Sequence, residues 1–221
     1  MSEYKRVLLI SYMRSGTHVV RALLSKAMNL RIQPEIAEFN SQIIDDINFT
    51  FNADKDILAV THIDSFEYSD RETIDRFNFI IKNRNIHVIF LDRKDFLDQL
   101  LSRIIFLNIA KGDTAKTPHE KFYIKKNWVE SSYRQLYRLK YRNADRLGLH
   151  IDRKIYYEDV IENGLEFNGH LLRKEDIKSP NKSTIKNPDK KEIIKNYDNV
   201  LKWIDEYSKI YNEDWEPILR W

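Results

Sequence analysis

The stretch Arg6–Leu24, RVLLISYMRSGTHVVRALL, decides the fold of this chain. Its apolar run Val7–Ile10 predicts a buried β-strand. After a polar turn, apolar residues recur every three or four positions, which predicts an α-helix with one buried face. The polar turn therefore lies at a helix N-terminus, where unpaired amides and the positive end of the helix dipole favour a phosphate.

Five residues of this turn are candidate phosphate-binding groups. Backbone N–H groups come from Ser15, Gly16, Thr17 and His18, and Gly16 lets the backbone approach a ligand closely. The Thr17 hydroxyl and the Arg14 guanidinium add charge-assisted contacts. On these residues alone, a plain βα turn with a surface arginine is an equal alternative.

The turn departs from the Walker A loop, G-x-x-x-x-G-K-[ST]. Ser11 stands where the first glycine belongs, and Thr17 follows Gly16 directly, so the lysine is missing. The cation of this loop, Arg14, precedes the glycine instead. The loop therefore lacks the side chain that a Walker A loop uses to reach the β- and γ-phosphates of a nucleoside triphosphate.

The order Arg-Ser-Gly-Thr on a strand-to-helix turn resembles the 5′-phosphosulfate loop of the PAPS-dependent sulfotransferases, with Met13 at the usual proline position. In motif style the chain is similar to the bacterial trehalose-sulfotransferase type and to the cytosolic sulfotransferases. The resemblance implies PAPS (3′-phosphoadenosine 5′-phosphosulfate) as the cofactor, its 3′,5′-bisphosphate PAP as the product, and no metal.

Composition and charge set outer bounds. The 221 residues fit a single domain, 1–221, that is large enough to bury a core. Basic and acidic residues nearly balance, 37 against 34, so no nucleic-acid partner is expected. The chain has no cysteine, which excludes disulfides, thiolate zinc sites and cysteine nucleophiles. The N-terminal MSEYKR has no apolar stretch, so we expect a cytoplasmic protein without a membrane span.

Further strand-like runs at 56–60, 86–91 and 151–157 alternate with amphipathic helical patterns. This alternation predicts an α/β fold with a central, mainly parallel sheet, and the resemblance makes it a P-loop-like, three-layer αβα domain. Ligands of such sheets bind beyond the carboxyl ends of the strands. We expect the loops of 31–51 and 108–118 to shape an acceptor pocket.

Two residues compete for the role of general base. His62 closes the strand at 56–60, and histidine has an unperturbed pKa near neutral pH. This Thr-His end resembles an element of the cytosolic sulfotransferases in which the histidine is the base. The alternative is Glu35 in Gln-Pro-Glu, because a Pro-Glu carrying the base occurs in certain bacterial sulfotransferases and burial can raise a carboxyl pKa. We favour His62.

The run 86–91 is followed by Arg93, Lys94 and, further on, Ser102. In the sulfotransferases an arginine after this strand and a serine about eight residues later hold the 3′-phosphate. By this resemblance Arg93 and Ser102 bind the 3′-phosphate, with Lys94 as a less certain substitute for the arginine. Arginine suits the task because it binds phosphate oxygens bidentately.

Two more candidates come from later in the chain. Tyr157, in Tyr-Glu-Asp at the end of the fourth run, matches the sulfotransferase tyrosine near the adenine, and an aromatic face can stack on a base. Lys182 lies in a basic loop that is either solvated or, by the resemblance, brings Lys182 or Lys186 over the nucleotide. A helical pattern over 119–145 is interpreted as structural.

We therefore expect a sulfotransferase that moves the sulfuryl group of PAPS to a hydroxyl or amine of a small-molecule or glycan acceptor. His62 would take the acceptor proton, and Arg14 would neutralise the departing 5′-phosphate. A P-loop nucleotide kinase or NTPase using Mg-ATP stays open because Asp92 ends its strand like a Walker B aspartate. A nucleotide- or RNA-binding module is a third alternative. The acceptor and the oligomeric state stay undetermined.

Overall fold

The computed structural model describes residues 6–36, 43–52, 56–66, 69–111, 121–141, 147–167, 169–173, 175 and 189–213. The chain divides into two compact units. The first comprises Met1–Asp95 and Tyr141–Lys178, and the second comprises Phe96–Lys140 and Ser179–Trp221. The single domain expected over 1–221 stays a prediction.

The first unit contains a parallel sheet with its connecting helices and a small hairpin. Its elements are, in chain order, β1 (Arg6–Ser11), α1 (Thr17–Met28), β2 (Arg31–Glu35), α2 (Ile43–Thr50), β3 (Ile57–His62), a 3₁₀ turn (Ile63–Phe66), α3 (Arg71–Asn83), β4 (His87–Asp92), β5 (Arg153–Tyr156), α6 (Tyr157–Asn163), β6 (Leu165–Phe167) and β7 (His170–Leu172).

The five strands β1 to β5 form one sheet in the order β2-β3-β1-β4-β5, and each pairing is parallel. The predicted α/β class with a mainly parallel central sheet is thereby confirmed. Since β1 is the central strand, its carboxyl end at Ser11 lies between the ends of β3 and β4, opposite His62 and Leu91. All sequence-predicted site residues of this unit lie at or just beyond the carboxyl ends of the five strands.

The sheet is buried on both faces because its central strands are continuous apolar runs, as expected of a parallel sheet. On one face, alternate residues of β1 and β3 pack with α1 and α6, through Leu23, Leu24 and Val160. The residues of the opposite face, such as Leu8 and Phe90, are equally buried. Helix α1 ends at Asn29, which adopts a left-handed conformation with φ of 51°, a usual helix C-terminus.

Two predicted boundaries are wrong. The run 151–157 was expected to be strand throughout, but Tyr157 begins helix α6, where Glu158 and Asp159 favour a helix N-terminus through the helix dipole. The range 31–51 was expected to be loop, but it contains β2 and α2. Pro34 obscures β2 because proline is confined to edge strands and irregular positions, and the register of this edge strand shifts between Ile32 and Glu35.

The second unit is helical, with α4 (Phe96–Lys111), α5 (Lys126–Tyr141), α7 (Lys190–Ile193) and α8 (Tyr197–Glu213). Helix α5 lies within the helical range predicted over 119–145, and α4 extends into the predicted loop of 108–118. The aromatic core of this second unit includes Tyr133, whose ring stacks on Tyr211 with the ring centroids 5.6 Å apart. Burial raises the pKa of Tyr133 to about 12, as expected of a phenol in the core.

Candidate active site

The turn between β1 and α1 has an unusual backbone conformation. Arg14 and Gly16 both adopt left-handed conformations, with φ of 63° and 79°, and they flank the fully buried Ser15. Left-handed residues in such a turn direct successive backbone N–H groups towards one side, which forms an anion-binding nest. The phosphate-loop role predicted for these residues stays a prediction, but their backbone conformation suits it.

Helix α1 begins without the usual means of satisfying its first amides. Its N-cap residue, Gly16, supplies no side-chain hydrogen bond, and no acidic residue occupies the first turn. The amides of Thr17 and His18 precede the first intrahelical bond, in which Val19 donates to the Gly16 carbonyl over 3.0 Å. The positive end of the helix dipole is therefore open to an external anion.

Gly16 is required at its position by the ring of Tyr157. A Cβ at Gly16 would lie 2.1 Å from Cδ2 of Tyr157, closer than side-chain contacts allow. The Arg93 guanidinium lies over the same ring, 5.0 Å from its centroid. Tyr157 therefore contacts the loop directly, and the adenine contact predicted for it stays a prediction.

Arg93 connects the ends of β1, β4 and β5. Its Nη1 donates to the Arg14 carbonyl over 3.1 Å, and its Nε donates to Oε1 of Glu158 over 3.4 Å. The other Glu158 oxygen accepts the Lys94 amide at 2.9 Å. Although burial alone would raise the pKa of Glu158, this amide and other backbone bonds hold it below its ordinary value. Sequence reasoning missed Glu158, although the Tyr-Glu-Asp string after a strand contained it.

Lys94, Ser102 and Lys182 are the remaining nucleotide-binding candidates of the sequence. The Lys94 ammonium pairs with Asp159 at 2.5 Å. Ser102 lies in α4 of the second unit, whereas Arg93 belongs to the first, so their joint grip on a phosphate stays a prediction. Lys182 lies outside the described residues.

The two candidate bases are hydrogen-bonded to each other. Nε2 of His62 lies 2.6 Å from Oε1 of Glu35, and the side chains are 14% and 28% exposed. The bond to His62 is the main cause that lowers the pKa of Glu35. Burial acts to lower the pKa of His62, but Glu35, followed by Asp64 and the Ser11 backbone, outweighs it and the net shift is upward. Both directions favour the charged form of each partner over its neutral form.

The other ring nitrogen of His62 faces the phosphate loop. Nδ1 lies 3.0 Å from the Ser11 hydroxyl and 3.3 Å from the Ser11 carbonyl oxygen. The Ser11 hydroxyl is in turn 3.0 Å from Oγ1 of Thr17, the first residue of α1. The His62–Glu35 pair and the turn between β1 and α1 are therefore joined by hydrogen bonds.

Two titratable side chains of the loop, His18 and Arg14, have lowered pKa values. His18 is exposed, and its Nδ1 lies 3.3 Å from Nη2 of Arg21. Partial burial and then the charge of Arg21 lower the pKa of His18, which favours the neutral ring. Crowding of the Arg14 guanidinium by protein atoms, followed by the charge of Arg93, lowers the pKa of Arg14. An anion bound here would relieve that repulsion.

Asp92, the Walker B candidate, is engaged with protein groups. Its Oδ1 accepts the Arg93 amide at 2.7 Å, and its Oδ2 lies 3.4 Å from the Lys154 ammonium. Within the described ranges, no group of three or more histidine, aspartate or glutamate side chains is arranged to hold a metal ion. In the same ranges, no helix is both long and apolar enough to cross a membrane.

Comparison with known proteins gives a likeness of structure and none of sequence. The sequence matches no protein-family model and no curated protein. Among solved structures, the fold is similar to mouse sulfotransferase SULT7A1, crystallised in complex with PAP. The two chains are 14% identical with a TM-score of 0.39, and the likeness covers 72% of this chain and 54% of the mouse chain. This chain thus spans about half the length of that neighbour.

Proposed function

We propose that this chain transfers the sulfuryl group of PAPS to a hydroxyl or amine and releases PAP. The observation that carries the proposal is the juxtaposition of an anion-binding nest with a hydrogen-bonded acid–base pair at one edge of the sheet. A phosphosulfate donor needs both of these features. The nest binds the leaving phosphate, and the pair receives the proton of the attacking group.

The residues of the loop fit the 5′-phosphate end of the donor. PAPS supplies an activated sulfuryl group that the acceptor attacks in line. The amides of Gly16, Thr17 and His18 and the Thr17 hydroxyl bind the phosphate oxygens, while Arg14 neutralises the charge that develops on the leaving group. Arg93 holds the loop through the Arg14 carbonyl and, by the sequence resemblance, also contacts the 3′-phosphate with Ser102.

His62 and Glu35 act as one basic unit. Both ring nitrogens of His62 have partners, in Glu35 and Ser11, and Glu35 is the more exposed member of the pair. An acceptor therefore reaches Glu35 first, with His62 orienting the carboxylate. Comparison of His62→Ala with Glu35→Ala separates the roles. Loss of the residue that receives the proton should lower turnover more than PAP affinity, and we expect this of Glu35→Ala.

The competing Mg-ATP reaction lacks support in the same geometry. No lysine follows Gly16, and Asp92 is held by Lys154 and the Arg93 amide. Calorimetry discriminates the two functions: we expect PAP to bind without magnesium and ATP to bind weakly with it. Mg-dependent ATP binding without PAP binding would refute the proposal. RNA binding that weakens steeply with salt, again without PAP affinity, would favour the nucleic-acid alternative.

Arg14→Ala tests the leaving-group role in a sulfuryl-transfer assay with labelled PAPS and an acceptor panel. We expect turnover to fall by about 10²- to 10³-fold, as for other donors that stabilise developing charge. The fold should persist because Arg14 is an exposed residue of a surface turn. Arg71→Ala is the matched control, since Arg71 is 77% exposed and pairs with Asp75 in its own helix. Equal turnover in both variants would remove Arg14 from the mechanism.

A further inference from the structure

A continuous series of hydrogen bonds runs from the His62–Glu35 pair to the first residue of α1. Glu35 Oε1 and His62 Nε2 are 2.6 Å apart, His62 Nδ1 and Ser11 Oγ are 3.0 Å apart, and Ser11 Oγ and Thr17 Oγ1 are 3.0 Å apart. The residues of this series come from β2, β3, β1 and α1, so the hydrogen bonds form only when the sheet is folded. Ser11, at its centre, is fully buried.

We propose that the Ser11 hydroxyl is a positioning group that transmits occupation of the phosphate loop to the His62–Glu35 pair. The proposal rests on the phosphate-binding role given to the loop above. Neither the pairing of Ser11 with His62 nor a link between the loop and the base follows from the motif of the loop itself.

The direction of the hydrogen bonds explains how the link works. A hydroxyl donates only one proton, so a Thr17 hydroxyl that donates to a phosphate can only accept from Ser11. Ser11 then accepts from His62, which requires a proton on Nδ1. The Ser11 carbonyl, 3.3 Å from Nδ1, favours the same state because it can only accept.

A proton on Nδ1 determines the state of the whole pair. Nε2 of His62 faces a carboxylate oxygen of Glu35 at 2.6 Å, so an unprotonated Nε2 would place two acceptors in contact. The pair therefore takes one proton from solvent when the loop is filled, and His62 becomes a full imidazolium. His62 then orients an ionised Glu35, and the carboxylate remains the group that accepts the acceptor's proton.

Other charged groups around the pair act in the same sense. Asp64, in the 3₁₀ turn after β3, raises the pKa of His62 together with Glu35. From α1, His18 and Arg21 help to lower the pKa of Glu35. A bound phosphate would also raise the pKa of His62 directly through its charge, so the test must isolate the contribution of the hydroxyl.

The experiment follows the His62 ring by NMR titration with and without PAP, with the resonance assigned by its loss in His62→Gln. In the wild-type protein we expect PAP to raise the pKa of His62. In Ser11→Ala the rise should be smaller by about one unit, since one hydrogen bond to the charged ring is lost. Thr17→Ser keeps a hydroxyl at the end of the chain and should retain the full rise.

Ser25→Ala is the matched control. It also removes one serine hydroxyl associated with α1, but at the far end, where Ser25 bonds the Leu30 carbonyl. An equal rise in Ser11→Ala and wild type would refute the role of Ser11. PAP binding to wild type without any rise would overturn the inference but leave the proposed function intact. Failure of wild type to bind PAP would overturn both.

Discussion

Helices α1 and α3 both follow a strand of the same sheet, yet their N-termini are opposites. Helix α3 is closed by Asp70, whose carboxylate accepts the Thr73 amide at 2.8 Å, and its first turn carries Glu72. Helix α1 starts at Gly16, with no capping side chain and no acid in its first turn. In the same βα architecture, one helix N-terminus therefore has a capping side chain and the other has none.

The difference shows where local stability has been given up. A side-chain cap typically contributes about 1 kcal/mol to a helix. Helix α1 forgoes this contribution and also holds Arg14 in a left-handed conformation, which is unfavourable for a residue with a Cβ. Neither feature helps folding, but the left-handed turn directs N–H groups towards one side, and no capping side chain covers the helix terminus. A phosphate bound there would supply what the missing cap does not.

The largest effect is expected from Gly16→Ala, which breaks the open terminus. The added Cβ meets the Tyr157 ring at 2.1 Å, so the ring, the loop or both must move. We expect PAP affinity and turnover to fall by about 10²-fold, the effect of misplacing groups by about 1 Å. Calorimetry and the sulfuryl-transfer assay measure the two quantities.

Gly169→Ala controls for backbone strain alone. Gly169 has the same φ of 79°, but nothing lies within 4 Å of its added Cβ. Both variants should lose about 1–2 kcal/mol from the left-handed conformation. Equal PAP affinity in the two variants would mean that the contact between Gly16 and Tyr157 has no part in binding.

The second prediction makes α1 resemble α3. His18→Glu places an acid in the first turn of α1, which should leave helix stability equal or slightly higher through the dipole. The same charge repels a bound phosphate, so PAP affinity should fall by about tenfold. Thr73→Glu adds an acid to the first turn of α3 and should not change PAP affinity. Unchanged affinity in His18→Glu would place the anion elsewhere.

The sequence was sufficient to predict the open terminus because its signals are local. A strand, a left-handed glycine and an amphipathic helix follow one another within Arg6–Leu24, and the carboxyl ends of parallel strands meet by necessity. The short bond from Ser11 to Thr17 belongs to the same local segment. The α/β class and the sheet followed from the same alternation of patterns.

The pairing of Glu35 with His62 could not be predicted in the same way. The two residues were treated as rivals because each alone is a plausible base. Their contact depends on β2 lying beside β3 at the edge of the sheet, and Pro34 concealed that strand. Glu158 was missed for a related reason, since its partners, Arg93 and Lys94, follow β4 and are far away in sequence.

The third prediction concerns the pH dependence of stability, which should differ between the His62–Glu35 pair near α1 and the Asp70 cap of α3. The pKa of Glu35 is lowered, so its contribution to stability is present above its unfolded value and disappears as pH falls through the folded one. The pKa of His62 is raised, so its contribution is present below its unfolded value and disappears as pH rises through the folded one. The pair therefore stabilises the fold only between these two folded values.

Urea unfolding of wild type and His62→Gln across this range tests the pair. The difference in unfolding free energy should reach about 1 kcal/mol within the window and shrink on either side. Asp70 behaves differently, because its lowered pKa limits the loss to acid. A difference that stays constant across the whole pH range would mean that the ion pair contributes nothing to folding.

The smallest effect is expected from removing the N-terminal cap of α3. Asp70→Ala removes the cap on the Thr73 amide, so Tm should fall by a few degrees at most, because Asp70 is fully exposed. Asp70→Asn retains a capping oxygen and should stay near wild type. PAP should raise the Tm of both variants as much as that of wild type, since an exposed amide without the left-handed nest does not bind the ligand. Stronger stabilisation of Asp70→Ala by PAP would show that any uncapped terminus of this sheet suffices, and the nest of Arg14 and Gly16 would lose its special role.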